Sequence, residues 1–232
     1  MNPAPSVAIL DVNETLSDLA PLAGRFEEVG APGDLLPTWF AATLRDGIAL
    51  AASGEYANFP DVARAALRPL LGRVGDLDRP LEEAAEHVLA GMATLPVHPD
   101  VEPGLRRLRE AGIRTATLTN GSAAAAEALL ERAGIADLVE RYLDVSEVGR
   151  WKPAPEPYRY ACRTLNVAEG DAVLIAVHPW DVHGARRAGL RGAWLDRHRL
   201  PYPSVFLAPD VSASDLPTLV DRLSRQGVHR RA

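Results

Sequence analysis

Cysteine is almost missing from this chain: Cys162 is the only one in 232 residues. A lone thiol excludes an internal disulfide framework and a thiolate-built metal site. Long apolar runs are missing too, with none approaching the roughly 18 residues of a membrane span. The opening Met-Asn-Pro-Ala-Pro-Ser lacks a basic region followed by an apolar one, so no export signal is read and a cytoplasmic location is expected. No run of lysine or arginine exceeds a pair, the last being Arg230-Arg231 at the tail, and 25 basic against 31 acidic residues leave a net charge of −6. Neither nucleic acid nor a membrane is an expected partner. A small anionic substrate would need a local cluster of donors rather than the field of the whole molecule. No internal repeat is visible, and the only biased stretch is the short alanine run at 123–126.

What is present is an alternation of short apolar runs with segments of helical length. Strands are expected at Val7–Leu10, Thr115–Thr119, Leu143–Val145, Ala172–Val177 and Ala193–Leu195. Helical patterns between them predict parallel βαβ units. Pro103 and Gly112 bracket one helix, with the proline expected at its first position; Ser122 and Gly134 bracket the next as N-cap and terminator. Residues 17–97 carry no convincing strand. Leu81, Ala84, Ala85, Val88, Leu89 and Met92 step along one helical face, and Leu36, Trp39, Phe40, Thr43, Leu44, Gly47 and Ile48 along another. The expected architecture is an α/β core with a parallel sheet, residues 1–16 and 98–232, interrupted by a helical cap, 17–97.

Four pieces carry chemistry. The first is Val7-Ala8-Ile9-Leu10-Asp11-Val12-Asn13-Glu14-Thr15, an apolar strand ending in a carboxylate. Open α/β sheets place catalytic groups at such strand ends. The second, Thr119-Asn120-Gly121-Ser122, puts hydroxyl and amide donors at a helix start, where backbone N–H groups favour an anion. The third is Trp151-Lys152-Pro153, with Tyr158 six residues beyond the lysine; the fourth is Val177-His178-Pro179-Trp180-Asp181, leading into Gly184-Ala185. Blander roles compete at several of these positions. Asn13 and Thr15 suit a turn, Asp181 suits a helix cap, Tyr158 shares a helix face with Ala161, Cys162 and Leu165, and Trp39, Phe40 and Phe59 suit packing within the cap.

Taken in order, the four pieces resemble the signatures of the haloacid dehalogenase (HAD) superfamily over nearly the whole chain. Within it the chain is most similar to the type II L-2-haloacid dehalogenases, through Asn120-Gly121-Ser122, the Lys152–Tyr158 spacing, Trp180-Asp181 with Gly184-Ala185, and Tyr56-Ala57-Asn58-Phe59. The resemblance implies a HAD-like Rossmannoid sheet with a cap, and a hydrolase needing no cofactor. Asp11 would displace halide from a small 2-haloacid, and water would hydrolyse the resulting aspartyl ester to a 2-hydroxyacid. Thr15, Thr119 and Lys152 would hold the nucleophile or the substrate anion, and Asp181 would orient the lysine or assist water. Tyr158 would donate toward the site, and Asn120 with its neighbouring N–H groups would receive the substrate carboxylate. Phe40 and Trp180 count as candidate substrate walls. A homodimer is a further implication.

Asn13 discriminates among HAD chemistries. Phosphatases of the superfamily usually carry an aspartate there, which protonates the leaving alcohol; an amide cannot. Two features depart from the dehalogenases. The family's halide-receiving arginine aligns with Phe40, with Arg45 a poorly placed substitute, and the fourth motif has Ala176 and His178 in place of serine and asparagine. His178 would stand in as a water-orienting group or base. Two alternatives therefore stay open: a phosphohydrolase acting on a good leaving group, for which Mg²⁺ is possible, and a binding protein whose chemistry has lapsed.

Overall fold

The computed structural model describes residues 4–228, so Arg230-Arg231 and the first three residues of the opening segment lie outside the described residues. The chain begins with β1 (Val7–Leu10), then α1 (Leu22–Glu27), α2 (Leu35–Ser53), α3 (Phe59–Leu71) and α4 (Leu81–Ala90). Next come α5 (Val101–Glu110), β2 (Arg114–Thr119), α6 (Ala123–Arg132), β3 (Arg141–Asp144) and α7 (Pro155–Thr164). The last elements are β4 (Ala172–Ala176), α8 (Pro179–Arg187), β5 (Arg191–Leu195), β6 (Val211–Ala213) and α9 (Leu216–Val228).

The strands form one parallel sheet in the order β3-β2-β1-β4-β5-β6. Helices cover both faces, so the central strands are buried on both sides and read as continuous apolar runs rather than alternations. All four residues of β1 and all five of β4 are buried. Each large aliphatic side chain sequestered there contributes roughly 1.5–3 kcal/mol. Chain order reverses between β1 and β4. Such a switch point opens a crevice beyond the carboxyl ends of its strands, and Asp11 and Val177 follow those two ends directly.

The chain runs into the α1–α4 segment beyond Leu16 and comes back beside it at Val97 and His98, where Leu16 and Val97 both pack in the core cluster. The two crossings are joined by Asp18 N–H to Pro96 O (2.9 Å) and His98 N–H to Leu16 O (2.9 Å). Between them lies a separate apolar cluster in which Trp39, Phe26, Leu67 and Leu71 are fully buried. Trp39 donates from Nε1 to Ala63 O at 2.9 Å, tying α2 to α3. The cluster is continued into the core by Trp151, which stacks on Phe59 at 5.8 Å and donates from Nε1 to Ala57 O at 2.9 Å. Gly47 is obligatory in this contact, because a Cβ there would lie 2.3 Å from the Trp151 ring. Trp151 therefore sits under the cap while the next residue, Lys152, points into the core.

Three local expectations are corrected. The helix with Pro103 starts at Val101, so the proline is the third residue, where its missing N–H still costs no helical bond. His178, not Asp181, occupies the N-cap of α8; Asp181 stands in its first turn, which favours a negative charge. β6 was not expected, since Val211-Ser212-Ala213 is too short for a periodic signal. Ser122 does cap α6, accepting from Ala125 N–H at 3.2 Å, and Gly134 beyond it has φ +70°.

Candidate active site

Asp11 lies at the bottom of the crevice, almost wholly buried at 4% exposure. Its Oδ1 accepts from Lys152 Nζ at 2.9 Å and its Oδ2 from Thr15 Oγ1 at 2.7 Å. The Thr15 hydroxyl is aimed by Val177 N–H, which donates to it at 3.2 Å. Four residues of tight backbone bring Thr15 back over Asp11, closed by Leu16 N–H to Val12 O at 2.8 Å.

Lys152 is fully buried and makes all three of its possible donations: to Asp11, to Asp181 Oδ2 (2.6 Å) and to Leu118 O (2.8 Å). Its backbone is fixed by Asn120, whose Oδ1 accepts from Lys152 N–H (2.8 Å) and whose Nδ2 donates to Lys152 O (3.3 Å). The Asn120 amide thus holds the lysine loop, while Gly121 and Ser122 line the cleft. Tyr158 donates to Asp181 Oδ1 at 2.5 Å. Gly184 makes that approach possible, because a Cβ there would stand 2.6 Å from the phenol oxygen.

Electrostatics separate the two carboxylates flanking the lysine. Burial opposes ionisation of Asp11, but Lys152 and the contact from His178 outweigh it and hold the carboxyl well below the usual range. Burial, with the neighbouring Asp11 charge, lifts Asp181 above its ordinary value despite Lys152. Burial alone would lower Lys152, yet the two carboxylates raise it, so the ammonium persists at neutral pH. The Tyr158 phenol is pushed far up by burial and by Asp181, which keeps it a donor. Cys162 is buried on α7 and its thiol is pushed up to about 11 by burial, so it offers no thiolate nucleophile at neutral pH.

Beside Oδ2 lies a contact that the sequence did not reveal. His178 places Nδ1 3.3 Å from Asp11 Oδ2 and Nε2 2.8 Å from Glu14 Oε2. Glu14 has φ +61°, a left-handed conformation unusual for a glutamate. His98 Nε2 contacts its carbonyl at 3.1 Å, and Arg197 bridges Thr15 O (2.7 Å) and Asp100 (2.7 Å), bracing the same turn. Glu14, His98 and Arg197 were missed. Only Glu14 had a sequence clue, its place between the nucleophile and Thr15.

Phe40 and Trp180 frame the imidazole. The Phe40 ring centroid lies 6.3 Å from that of His178, and Trp180 stacks on the imidazole at 5.1 Å. Arg45 turns outward to Asp46 at 2.8 Å with a largely exposed side chain, so it does not supply the missing cap arginine. Asn13 and Thr119 open instead on a cleft of about 270 Å³ between core and cap, walled mainly by Phe59, Leu89, Met92, Ala126 and Leu129. Arg64, paired with Glu86 at 2.7 Å, brings a cap guanidinium to that wall. Thr119 Oγ1 accepts from Gly121 N–H at 2.9 Å rather than touching Asp11.

A divalent cation does not fit this donor set. The Lys152 ammonium fills the space between Asp11 and Asp181, and His178 faces the remaining side of Asp11. Among the described residues, no three His, Cys, Asp or Glu side chains converge to hold a metal.

An ionised strand-end aspartate, paired with a buried ammonium at a sheet's switch point, has the charge and position that nucleophilic attack requires. The haloacid dehalogenase-like hydrolase family model matches residues 7–189, and the chain belongs to that family. It is 28% identical over 221 residues to (S)-2-haloacid dehalogenase 1 of Pseudomonas sp. (strain CBS-3), covering 94% of each chain. L-2-haloacid dehalogenase from Xanthobacter autotrophicus superposes with a TM-score of 0.84 at 26% identity, over 95% of this chain and 98% of that one. A shorter match, 33% identical over 150 residues, joins 64% of this chain to 60% of a phosphoserine phosphatase from Thermus thermophilus. The two kinds of relative differ in the reaction their names give, so the residues around Asp11 must decide between them.

Proposed function

We propose that this chain is a metal-independent hydrolase that removes halide from a small 2-haloacid, using Asp11 as the nucleophile. The observation that carries the reading is Lys152 lying between Asp11 and Asp181, 2.9 and 2.6 Å away. An ammonium at that point keeps Asp11 anionic without a metal, and halide departs without a proton. Asp11 Oδ1 has one hydrogen-bond donor against two for Oδ2, which leaves it a lone pair for attack. Carbon–oxygen bond formation expels halide and yields the Asp11 ester; water then adds at Cγ and releases the 2-hydroxyacid.

The substrate's carboxylate is assigned to the cleft beside Asn13, Thr119, Gly121 and Ser122, at the N-terminal end of α6 where the helix dipole favours an anion. Its alkyl group faces the apolar cleft wall. Asn13 lines the same cleft and offers an amide where a phosphatase needs an acid. The test is free halide released from chloro-, bromo- and fluoro-acids at high enzyme concentration. Release from at least one, lost in Asp11→Asn, is expected; silence across the panel removes the proposal.

A further inference from the structure

Glu14 and His178 form a second constellation on the opposite side of the nucleophile from Lys152. Ionised carboxylates only accept hydrogen bonds, and both imidazole nitrogens face carboxylate oxygens, at 3.3 Å (Asp11) and 2.8 Å (Glu14). Each nitrogen therefore carries a proton in the resting protein. The charged groups facing the ring are these two carboxylates, from the loop after β1; Phe40 on α2 and Trp180 on α8 supply its aromatic surroundings. Burial alone would lower the imidazole's pKa, yet the two carboxylates raise it to about 9. A non-glycine residue held at φ +61° is in a disfavoured conformation that the surrounding structure imposes. Here that conformation delivers a carboxylate to Nε2.

Resting on the proposed aspartyl-ester chemistry, we propose that His178 is the base that activates water against the Asp11 ester, with Glu14 as the positioning residue that fixes its tautomer. The nucleophile and base are linked through the same carboxyl group, and a third group orients the base, as covalent hydrolases require. Esterification of Asp11 removes the anion facing Nδ1, while Glu14 still accepts from Nε2–H. The Nδ1 proton then leaves to solvent through the ring's partly exposed edge, and a lone pair is directed at the ester. Water gives one proton to Nδ1 as its oxygen bonds to Cγ. The tetrahedral adduct breaks its Cγ–O bond to the alkyl group, and the departing alkoxide takes the proton from Nδ1. The new Asp11 carboxylic acid passes its proton to Nδ1, restoring carboxylate and imidazolium. In sum, haloacid and water become hydroxyacid, halide and one proton. The base thus exists only after the first half of turnover has occurred.

Single turnover of 2-bromopropionate, followed by ion chromatography for bromide and intact-protein mass spectrometry for the ester, tests this. In His178→Gln a burst of bromide with retained ester is expected, and ester breakdown slowed by about a hundredfold or more, the usual contribution of a general base. In wild type, ester breakdown should rise with pH to a plateau through one ionisation. Glu14→Gln, which removes the anion behind Nε2, should move that inflection to lower pH. Near-UV circular dichroism of both variants checks that they fold. Bromide release from wild type with no ester retained in folded His178→Gln overturns the role of His178. Breakdown that falls as pH rises would also overturn it, since the imidazolium would then act as a donor. An unmoved inflection in Glu14→Gln overturns the pairing. If wild type releases no bromide, the haloacid reading itself fails, and the water-activating role falls with it.

Discussion

The two oxygens of Asp11 face differently built surroundings. On the Oδ1 side, Lys152 donates to Asp11 and Asp181 while Tyr158 donates to Asp181, in a network buried at 0% exposure apart from Asp11 itself. On the Oδ2 side, His178 and Glu14 reach the partly open cap boundary, with side chains 13% and 41% exposed. The buried side fixes charge; an ammonium locked by three acceptors holds Asp11 anionic until it attacks. The more open side changes charge, because an imidazole between two carboxylates responds when one of them is neutralised. Substitutions on the two sides should therefore separate, with those at Lys152 stopping attack and those at His178 stopping release.

The largest effect belongs to the residue both sides share. Asp11→Asn should reduce halide release by a factor on the order of 10⁶, or to the detection limit, as removal of a covalent nucleophile does elsewhere. Halide release at even a tenth of the wild-type rate would break the comparison at its centre. Lys152→Met comes next. It strands two buried carboxylates side by side, so urea unfolding should show a loss of roughly 3–5 kcal/mol along with loss of ester formation. A stable variant that still alkylates would mean Lys152 is dispensable for charge.

Gly47→Ala tests the packing of α2 against Trp151. Alanine within a helix ordinarily stabilises by about 1 kcal/mol over glycine. Here the added Cβ would lie 2.3 Å from the Trp151 ring, so a net loss of about 1–3 kcal/mol is expected from overpacking. A gain would show that the cap does not dock through Trp151. Tyr158→Phe, which leaves a buried Asp181 oxygen without its donor, should cost about 1–3 kcal/mol in denaturant unfolding.

Much of this arrangement was readable before coordinates. β1 and β4 are continuous apolar runs ending at Asp11 and Val177, so their burial and their carboxyl ends follow from composition alone. The family resemblance implied Lys152 beside Asp11, and helical register alone put Tyr158 on one face of α7 with Ala161 and Cys162, the face that is buried. Other features depend on backbone geometry that no periodicity encodes. Glu14 reaches His178 only because its φ is positive, and Asn120 serves Lys152 across 32 residues of chain. Arg197 braces Thr15 from 182 residues away, a pairing fixed by the position of β5 in the sheet. Arg45 looked like a poor substitute for a cap arginine, and its pairing with Asp46 agrees with that.

A separate effect concerns pH-dependent stability. His178 is raised in the folded state from 6.5 to about 9 by its two carboxylates. A group raised on folding contributes stability that is full below its unfolded pKa and is lost as pH rises through the folded one. Thermal unfolding temperature should therefore fall between about pH 6.5 and 9. The fall should flatten in His178→Gln. An equal slope in the variant would assign the effect to other groups.

The most direct test of covalent attack by Asp11 is one turnover of a 2-haloacid in H₂¹⁸O, with enzyme in excess over substrate. If water adds at Cγ of an Asp11 ester, ¹⁸O appears in the Asp11 peptide and the hydroxyacid product carries ordinary oxygen. Label in the product, with an unlabelled Asp11, would contradict the account.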